Sequence, residues 1–313
     1  MTPAFQPIFP PTTSRPGEKP RGNQLALLVK STFHLSTLLL LGAFVQGILS
    51  LILSPRYALL PAVVLLLRTA IHAVQNLSAS SASNYYVRTQ GVIPGKTSAR
   101  LPHSWLTSSK AAAGEETRQG QGIVVFHIGV RFHHPLGPPG TPHARELGEY
   151  FQACHATLLS EAKKYGCLGG SAYRGERSEG GDNSNMLLNV YYFRDLEGLE
   201  RFAREKEGVH MKAWEWFDRL ALSSSSPAQP EGEGGDGKTA NSRARHFGIF
   251  HETFSVPAGR WETLYMNMPP TLLGAGSVAV KNAETGREEW VKTLVDAEGR
   301  EFRSMRARMG VNQ

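Results

Sequence analysis

The chain has 313 residues, of which 34 are Lys or Arg and 27 are Asp or Glu, so its formal net charge is +7. The basic residues are scattered instead of being interleaved with aromatic residues, which argues against a nucleic-acid partner. The only two cysteines, Cys154 and Cys167, form neither a C-x-x-C motif nor a disulfide framework, which indicates reduced, buried thiols.

The first two segments of the chain differ sharply in composition. Residues 1–24 contain six prolines and few large apolar residues, a composition typical of a disordered tail. Residues 31–53 contain no Asp, Glu, Lys or Arg and are rich in Leu. At about 1.5 Å per residue this run reaches across a hydrocarbon core of about 30 Å, so it predicts a transmembrane helix. It begins too late and runs too long for a secretory signal peptide.

A second apolar run follows a short turn and completes a predicted two-helix membrane anchor over residues 25–75. Residues 57–74 are apolar except for Arg68 and His72. An Arg at the bilayer centre costs about 2.5–3.5 kcal/mol, so this run either spans with a snorkelling Arg68 or lies at the interface. Basic residues outnumber those of the turn on both outer flanks, which predicts that both flanks face the cytosol. The endoplasmic reticulum membrane is the expected location.

The next part of the chain predicts alternating strands and helices after a linker over residues 76–121. The predicted elements are a strand at Gly122–Phe132, a helix at Ala144–Tyr165, strands at Leu168–Arg177 and Met186–Phe193, a helix at Leu196–Glu207 capped by Asp195, a second helical stretch to Leu222, and a strand within His246–Phe254. Residues 223–242 are predicted to be a disordered insertion, and residues 274–313 a polar C-terminal tail.

The order strand, helix, strand, strand, helix, strand predicts an α+β domain over residues 122–273 with a ferredoxin-like antiparallel sheet. Its helices would cover one face of the sheet. In dimeric α+β barrels two such sheets cover each other's second face, so a homodimer is a possible assembly.

Two stretches of the chain resemble a known family. They are Y-Y-F-R-D-L-E-G-L-E-R-F-A, which begins at Tyr191, and I-F-H-E-T-F-S-V-P-A-G-R-W-E-T-L-Y-M-N-M-P-P, which begins at Ile249. The chain is similar to fungal membrane-anchored α+β-barrel proteins called monooxygenases, which belong to secondary-metabolite pathways such as fumagillin biosynthesis. The resemblance implies an oxygen-dependent oxidation of a hydrophobic, polyketide-like or lipid-like small molecule. It covers roughly residues 25–273.

The candidate catalytic residues are polar groups placed in apolar strands and helices. His251 and Glu252 are neighbours in a strand and point to opposite faces, so each is a candidate base but they do not form a pair. Asn189 and Arg174 are candidates for stabilising developing negative charge. A structural role for Glu252, bonded to an Arg or a backbone amide, remains an alternative.

His210 has two competing interpretations. It lies four residues before Trp214, on the same predicted helix face, where it would serve as a haem ligand or proton shuttle, or would simply cap a packed core. The cofactor is therefore either haem or none.

Further polar and aromatic residues are candidates for binding the substrate. Trp214, Trp261 and Tyr265 would form pocket walls, and Trp261 and Tyr265 have the spacing of one side of a helical turn. His127 and Arg131 point away from the apolar face of their strand and would add polar groups to an otherwise apolar site.

The sequence lacks the motifs of several enzyme classes. It has no G-x-G-x-x-G after a strand, no phosphate-binding loop, no H-E-x-x-H and no G-x-S-x-G, so flavin, nicotinamide and metal-protease chemistry have no support. No metal site is predicted. The function expected is a monooxygenase-like oxidoreductase, and the alternatives are a dehydratase or cyclase on the same barrel, or a noncatalytic membrane-tethered module that binds a ligand or scaffolds other enzymes.

Overall fold

A computed structural model of the chain describes residues 5–17, 35–78, 91–102, 122–134, 137–175, 185–222, 246–282 and 285–309, together with Val29 and Phe33. The predicted insertion at 223–242 lies outside these residues. The chain forms two compact units. The first contains residues 1–20, 95–266 and 271–313, and the second contains residues 21–94 and 267–270.

The described residues contain nine strands in chain order. They are β1 (Ile93–Ala99), β2 (Ile123–Phe132), β3 (Cys167–Arg174), β4 (Met186–Phe193), β5 (Phe247–Val256), β6 (Tyr265–Met268), β7 (Ser277–Lys281), β8 (Glu288–Lys292) and β9 (Leu294–Asp296).

The α-helices of the same residues are α1 (Leu35–Ile52), α2 (Pro55–Ala58), α3 (Leu60–Ser78), α4 (Ala144–Ser160), α5 (Ala162–Tyr165), α6 (Leu196–Arg204), α7 (Val209–Leu222) and α8 (Met305–Arg308). Short 3₁₀-helices lie at Pro138–Gly140, Leu272–Ala275 and Arg300–Phe302.

The main sheet is antiparallel and has the strand order β3-β4-β2-β5. Its elements follow the predicted order β-α-β-β-α-β, so a mixed α+β domain with an antiparallel sheet is confirmed. The bounds of β4 match the prediction, and β2 begins one residue later than predicted. The formation of a dimeric barrel stays a prediction.

Local sequence signals account for the ends of the helices. Asp195 caps α6, because its Oδ1 accepts a hydrogen bond from the Gly198 amide at 2.8 Å, as its position before an apolar run predicts. The predicted helix over residues 144–165 is present but is interrupted at Glu161 between α4 and α5. Gly166 follows it with a left-handed φ of 64°, which a residue without Cβ adopts at little cost.

The helices cover one face of the main sheet and form its core there. Phe193 is completely buried and Val124 is 2% exposed. These two residues belong to a cluster to which α4, α5 and α6 contribute Leu158, Tyr165 and Phe202. Burying one large apolar side chain contributes about 1.5–3 kcal/mol to stability. The summed burial of these side chains holds the helices on this face.

The N-terminal tail was predicted to be disordered, and for residues 5–17 this prediction is wrong. The Ile8 amide donates to the Leu294 carbonyl at 2.9 Å, and the amides of Thr12 and Trp290 each donate to the carbonyl of the other residue. These partners come from the opposite end of the chain. Composition alone therefore could not reveal the edge to which this proline-rich segment binds.

Part of the predicted linker is also ordered. The last residues of β1 pair with β9, with Ser98 opposite Val295 and Ala99 opposite Leu294. Ser98 and Ala99 are each 1% exposed. The segment has few large apolar residues, but small side chains suit a strand that is closely covered by its neighbours.

The predicted polar C-terminal tail is instead part of the core, so this prediction is wrong. Strands β7 and β8 form an antiparallel pair, and β9 extends the sheet that has the order β6-β1-β9. Val278 is 2% exposed, Leu294 1% and Phe302 5%. The apolar residues here stand singly among charged ones, so the average composition of the segment is polar. Because side chains alternate along a strand, the apolar ones can still be buried on one side.

Helices α1 and α3 expose most of their apolar side chains, unlike the helices that cover the main sheet. Along α1 and α3 the leucines are largely exposed, with Leu51 at 89% and Leu66 at 71%. Of the helices in the described residues, only the stretch Pro55–Gln75 has both the length and the apolar character for crossing a membrane, and Ser36–Ile52 is an apolar helix that falls just short in length. A two-helix transmembrane hairpin is therefore not confirmed by helix length and composition.

Arg15 fastens the N-terminal segment to the main sheet, which gives a testable expectation. Its Nη1 and Nη2 donate to the carbonyls of Cys167 and Leu168 at 3.3 and 3.2 Å, and its guanidinium lies 5.4 Å from the centre of the Trp290 ring. We expect Arg15→Ala to lower the free energy of unfolding by about 1–3 kcal/mol, because two carbonyls lose a charged donor. Denaturant unfolding of the detergent-solubilised chain measures this loss.

The matched control for that substitution is Arg145→Ala. Arg145 is 91% exposed and forms an i, i+4 ion pair with Glu149 at 2.9 Å. Surface pairs of this kind contribute about 0.3–0.5 kcal/mol. Equal losses for the two variants would show that Arg15 does not anchor the segment.

Candidate active site on the open face of the sheet

The strand register separates the predicted site residues onto two faces of the main sheet. Ile128 is opposite Asn189 on β4 and opposite His251 on β5, so these three side chains share the face that the helices cover. His127 is opposite Glu252, so these two side chains lie on the second face. We call this second face the open face; its residues on β2 and β5 are Val125, His127, Gly129, Arg131, Gly248, Phe250, Glu252 and Phe254.

His127 and Glu252 form the central polar pair of the open face. The His127 Nδ1 lies 3.7 Å from the Glu252 Oε2, and the two side chains are 31% and 64% exposed. This separation is longer than a hydrogen bond. Catalytic hydrogen bonds are commonly long in the absence of substrate. The pair thus places an imidazole and a carboxylate side by side where a ligand can reach them.

Two phenylalanine rings border this pair. Phe254 makes an edge contact with the His127 ring, with 5.5 Å between centroids and an interplanar angle of 64°. Phe250 extends over Gly129, where the tip of its ring occupies the space that a Cβ would take. Phe250 and Phe254 remain 37% and 47% exposed. The arrangement places a polar pair between apolar rings, as in sites that bind small hydrophobic molecules.

A polar, less exposed border lies on the side of β3 and β4. The amide of Leu272 donates to the Ser171 Oγ at 2.9 Å, and the amide of Gly274 donates to the Tyr265 hydroxyl at 3.0 Å. Leu272 has a φ of 52°, a left-handed conformation that is rare for a branched residue. Burial raises the pKa of Tyr192, which lies on this side of the open face, to about 12. The hydroxyl of Tyr192 is therefore a neutral donor near neutral pH.

His251 and His210 lie on the helix-covered side. The His251 ring is 5.9 Å from the Phe126 ring, and the Nδ1 of His210 is 3.0 Å from the Ala203 carbonyl. Burial lowers the pKa of His210, and the nearby charge of His251 lowers it further. The hydrogen bond to Ala203 opposes these effects in part. His210 is accordingly a neutral imidazole at neutral pH.

The depressed pKa of His210 predicts a loss of stability in acid. The folded protein binds fewer protons than the unfolded chain between the folded-state pKa and the ordinary value of about 6.5. The stability that the neutral imidazole contributes is fully present above about pH 6.5 and is lost as the pH falls through the folded-state pKa. We expect His210→Gln to flatten the decline of the unfolding free energy between about pH 7 and pH 5, measured with urea.

His133→Gln is the control for that titration, because His133 is exposed at the end of β2. It should leave the slope of the wild-type protein unchanged. An identical slope for His210→Gln and the wild type would contradict the assignment of acid sensitivity to His210.

The predicted aromatic walls are not gathered at one place. Trp214 is 53% exposed on α7, whereas Tyr265 is 9% exposed. The Tyr265 hydroxyl accepts a hydrogen bond from the Gly274 amide. The helical turn predicted for Trp261–Tyr265 is wrong, since Tyr265 opens strand β6 and the preceding residues have no regular structure. Glu262 in that segment pairs with Arg308, with 2.5 Å between Oε2 and Nε.

The remaining predicted polar residues divide between the same two faces. Arg174 is opposite Leu187 and so lies on the helix-covered face with Asn189 and His251. Arg131 is half-buried and lies on the open face, four residues along β2 from His127. His127, Arg131 and Glu252 therefore share the open face, whereas Asn189, Arg174, His251 and His210 belong to the other side.

Sequence reasoning did not single out Gly129, Ser171 and Tyr192. The signal for Gly129 was a glycine in the middle of an apolar strand, which often marks the close approach of another group. Ser171 and Tyr192 carried no such signal, because their roles depend on the 3₁₀-helix at Leu272–Ala275.

Neither cysteine has the environment of a nucleophile. Burial raises the pKa of the Cys154 thiol to about 11, and Cys167 is 2% exposed. Among the described residues, no group of three or more His, Cys, Asp or Glu side chains has the arrangement of a metal site.

Comparison with known proteins relates the chain to one family. A sequence profile of the family described as "Monooxygenase af470-like" matches residues 123–226 and 237–273. The protein "Monooxygenase af470" of Aspergillus fumigatus is 32% identical to this chain over 310 residues, which covers 99% of each chain. The profile match includes β2, β4 and β5, and so includes both members of the His127–Glu252 pair.

Solved structures show more distant likeness. Two structures of aldoxime dehydratase, one in complex with butyraldoxime, are 17% and 19% identical to this chain and cover 49% and 51% of it, with TM-scores of 0.35 and 0.33. The matched region spans 36% and 41% of those two chains.

Proposed function

The chain belongs to the fungal monooxygenase af470-like family, and from this premise we propose that it is an oxidoreductase that acts on a hydrophobic small molecule at the open face. The observation that carries the proposal is the His127–Glu252 pair, 3.7 Å apart and bordered by Phe250 and Phe254. An acid–base pair beside exposed rings suits an apolar substrate from which a proton must be removed.

The substrate class follows from the border of the site. Phe250 and Phe254 offer ring surface, and Arg131 on the same face offers a positive charge. A polyketide-like or lipid-like molecule with an acidified C–H bond satisfies both, because its apolar body packs on the rings while Arg131 stabilises negative charge that develops on its oxygen. Fungal secondary metabolism supplies such molecules.

The proposed chemistry requires only groups of this face and molecular oxygen. Glu252 accepts a proton from a substrate CH₂ group, and His127 orients Glu252 and carries the proton onward. The substrate carbanion then gives its electrons to oxygen. In the complete reaction one CH₂ and one O₂ yield one C=O and one water, so all four electrons come from the substrate and no external reductant is consumed.

A haem-dependent form of the same activity remains the alternative. The hydrogen bond between the His210 Nδ1 and Ala203 leaves Nε2 as the nitrogen that can bind iron, which is the usual arrangement of a metal-binding histidine. Haem held there would supply oxygen activation on the helix-covered side. An absorption spectrum of the detergent-solubilised protein, expressed with added haem, distinguishes the two forms. A Soret band that His210→Ala removes would assign the chemistry to haem.

The assembly and location of the enzyme are proposed together. Strand β5 is an edge strand, and a second copy that covers the open face would enclose the His127–Glu252 pair in a dimeric barrel. The basic flanks of the apolar helices support a cytosolic position for this domain, and the endoplasmic reticulum is the proposed membrane.

Turnover measured with and without oxygen tests the proposed function. The assay follows oxygen uptake by the solubilised enzyme with a panel of aromatic and polyene CH-acidic substrates, and mass spectrometry follows incorporation of heavy-isotope oxygen into product. We expect oxygen-dependent product that retains one labelled atom.

Two other outcomes would identify the alternatives. Product formed equally well without oxygen would establish a dehydratase or cyclase, for which the acid–base pair alone suffices. Tight binding of a substrate without any product, by a folded protein, would establish a noncatalytic ligand-binding module.

A further inference from the structure

The two ends of the chain segment that contains the apolar helices are bound to the same strand. On one edge of β9, the Ile8 amide donates to the Leu294 carbonyl at 2.9 Å. On its other edge, the Arg100 amide donates to the Thr293 carbonyl at 2.7 Å, and β1 continues the pairing. Val295 is thus flanked by Pro7 on one side and Ser98 on the other.

This arrangement constrains the path of residues 18–94. Neighbouring strands are about 4.8 Å apart, so the chain leaves β9 at Pro7 and returns at Ser98 across about 10 Å. Additional contacts fix each end, because Arg15 binds the carbonyls of Cys167 and Leu168 while Ser98 donates to the Thr263 carbonyl at 2.8 Å. Both ends belong to the first compact unit. A folded unit lies on one side of a bilayer, so residues 18–94 must cross it an even number of times.

An even number of crossings excludes a single membrane-spanning helix in this segment. Only the stretch Pro55–Gln75, of 21 residues, satisfies both the length and the composition of a membrane span among the described residues. If that stretch alone crossed, Pro7 and Ser98 would be on opposite sides of the bilayer. They could not then flank the same residue of β9.

Helix α1 has the properties of the second crossing. It comprises 18 residues without a charged side chain, and at about 1.5 Å per residue it extends for about 27 Å, close to the thickness of a hydrocarbon core. Leu39, Leu40 and Leu41 are 65%, 71% and 58% exposed, and consecutive residues point about 100° apart around a helix, so exposed leucines lie on more than one side of α1. A helix that lies in the membrane interface has one strongly polar face, which α1 lacks.

The turn between the two helices can lie within the membrane or at its far surface, because its backbone is partly satisfied internally. It is short, from Leu53 to Leu59, and includes the one-turn helix α2. The Gln46 Nε2 donates to the Ala58 carbonyl at 2.9 Å, and Ala58 is completely buried. A side chain of α1 therefore satisfies a carbonyl group of the turn, which hydrocarbon would leave without a partner.

We propose that α1 and α3 cross the bilayer as a hairpin whose turn, Leu53–Leu59, reaches the opposite side, and that the bilayer is the partner of their exposed leucines. The pairing of Pro7 and Ser98 with Val295 keeps both ends of residues 18–94 on one side of the bilayer. Arg68 lies in the C-terminal half of the stretch Pro55–Gln75, from which a long side chain can snorkel to the interface. This topology is independent of the activity proposed above.

Accessibility of single positions in sealed microsomes that contain the full chain tests the hairpin. The native cysteines are half-buried and buried, so wild-type protein provides the background. Arg56→Cys in the turn and Glu301→Cys in the sheet domain provide the probes, and a membrane-impermeant maleimide is the reagent. We expect Glu301→Cys to react in sealed microsomes, and Arg56→Cys to react only after permeabilisation. Epitope tags at the two chain ends should both be digested by external protease.

Each other outcome overturns the proposal. Reaction of Arg56→Cys in sealed microsomes, with extraction of the protein by alkaline carbonate, would show helices that lie on the membrane surface. Protection of one terminal tag but not the other would show an odd number of crossings. Because circular dichroism of Arg56→Cys verifies its fold, a misfolded variant cannot imitate either result. None of these readouts depends on enzymatic turnover.

Discussion

Glu252→Gln is expected to reduce turnover by about 10²–10⁴-fold, the range typical of a lost general base. The amide retains the size of the carboxylate but cannot accept a proton from the substrate. Glu252 is 64% exposed and its partner is 3.7 Å away, so the substitution should leave the melting temperature within about 1–2 °C of wild type. Steady-state kinetics with the best substrate of the oxygen assay, together with thermal unfolding, measures both quantities.

The same experiment with His127 establishes whether the two groups act as a unit. His127→Ala should cause a loss similar to that of Glu252→Gln. The double variant should then be little worse than either single variant, because groups that act in one proton transfer are not additive. Independent, multiplying losses would instead show that His127 binds substrate without taking part in the proton transfer.

His251→Ala is the matched control for the choice of face. His251 neighbours Glu252 in sequence and is also exposed, but its register opposite Ile128 places it on the helix-covered side. We expect this variant to retain most of the activity. If His251→Ala abolished turnover while Glu252→Gln preserved it, the open face would be the wrong site and the reaction would belong to the helix-covered side.

The sequence predicted the elements of the main sheet well because their signals are local. Strand β4 is almost continuously apolar from Met186 to Phe193, and Asp195 stands directly before the helix that it caps. Alternation along β5 also showed that His251 and Glu252 face opposite ways. These inferences need no knowledge of which strands become neighbours.

The composition of the site could not be predicted in the same way, because it depends on strand register. Only the pairing of β2 with β5 brings His127 to Glu252, and only the position of the helices shows that His251 lies on the covered side. Asn189 was a reasonable candidate as a polar residue in an apolar strand, yet its pairing with Ile128 separates it from Glu252. A single register step would have reversed both assignments.

The terminal segments were misjudged for a related reason. Residues 5–17 and the strands β7–β9 have few consecutive apolar residues, so their average composition is that of a solvated chain. Their order arises from pairing between opposite ends of the sequence, as in the contact of Pro7 with Val295. Such long-range pairing leaves little trace in a local pattern.

Phe302→Ala provides the largest expected effect on stability, about 3–5 kcal/mol. Phe302 is 5% exposed and packs against Val295 and Ala297, with Phe5 of the N-terminal segment beside them. The Arg100 guanidinium lies 5.1 Å from the centre of its ring. Removal of the ring leaves a cavity and exposes a cation that had packed on it. Chemical unfolding in detergent measures the loss.

Met305→Ala is the control for that substitution, since Met305 is only three residues away but 55% exposed, and its change should remain within about 0.5 kcal/mol. Equal behaviour of the two variants would restore the polar-tail description of the C-terminal segment.

Phe302 belongs to the apolar cluster that adjoins the hydrogen bonds of Ile8 and Arg100 to Leu294 and Thr293. Loss of its ring should therefore weaken the attachment of both ends of residues 18–94. We expect protease to cleave the N-terminal segment of Phe302→Ala sooner than that of Met305→Ala.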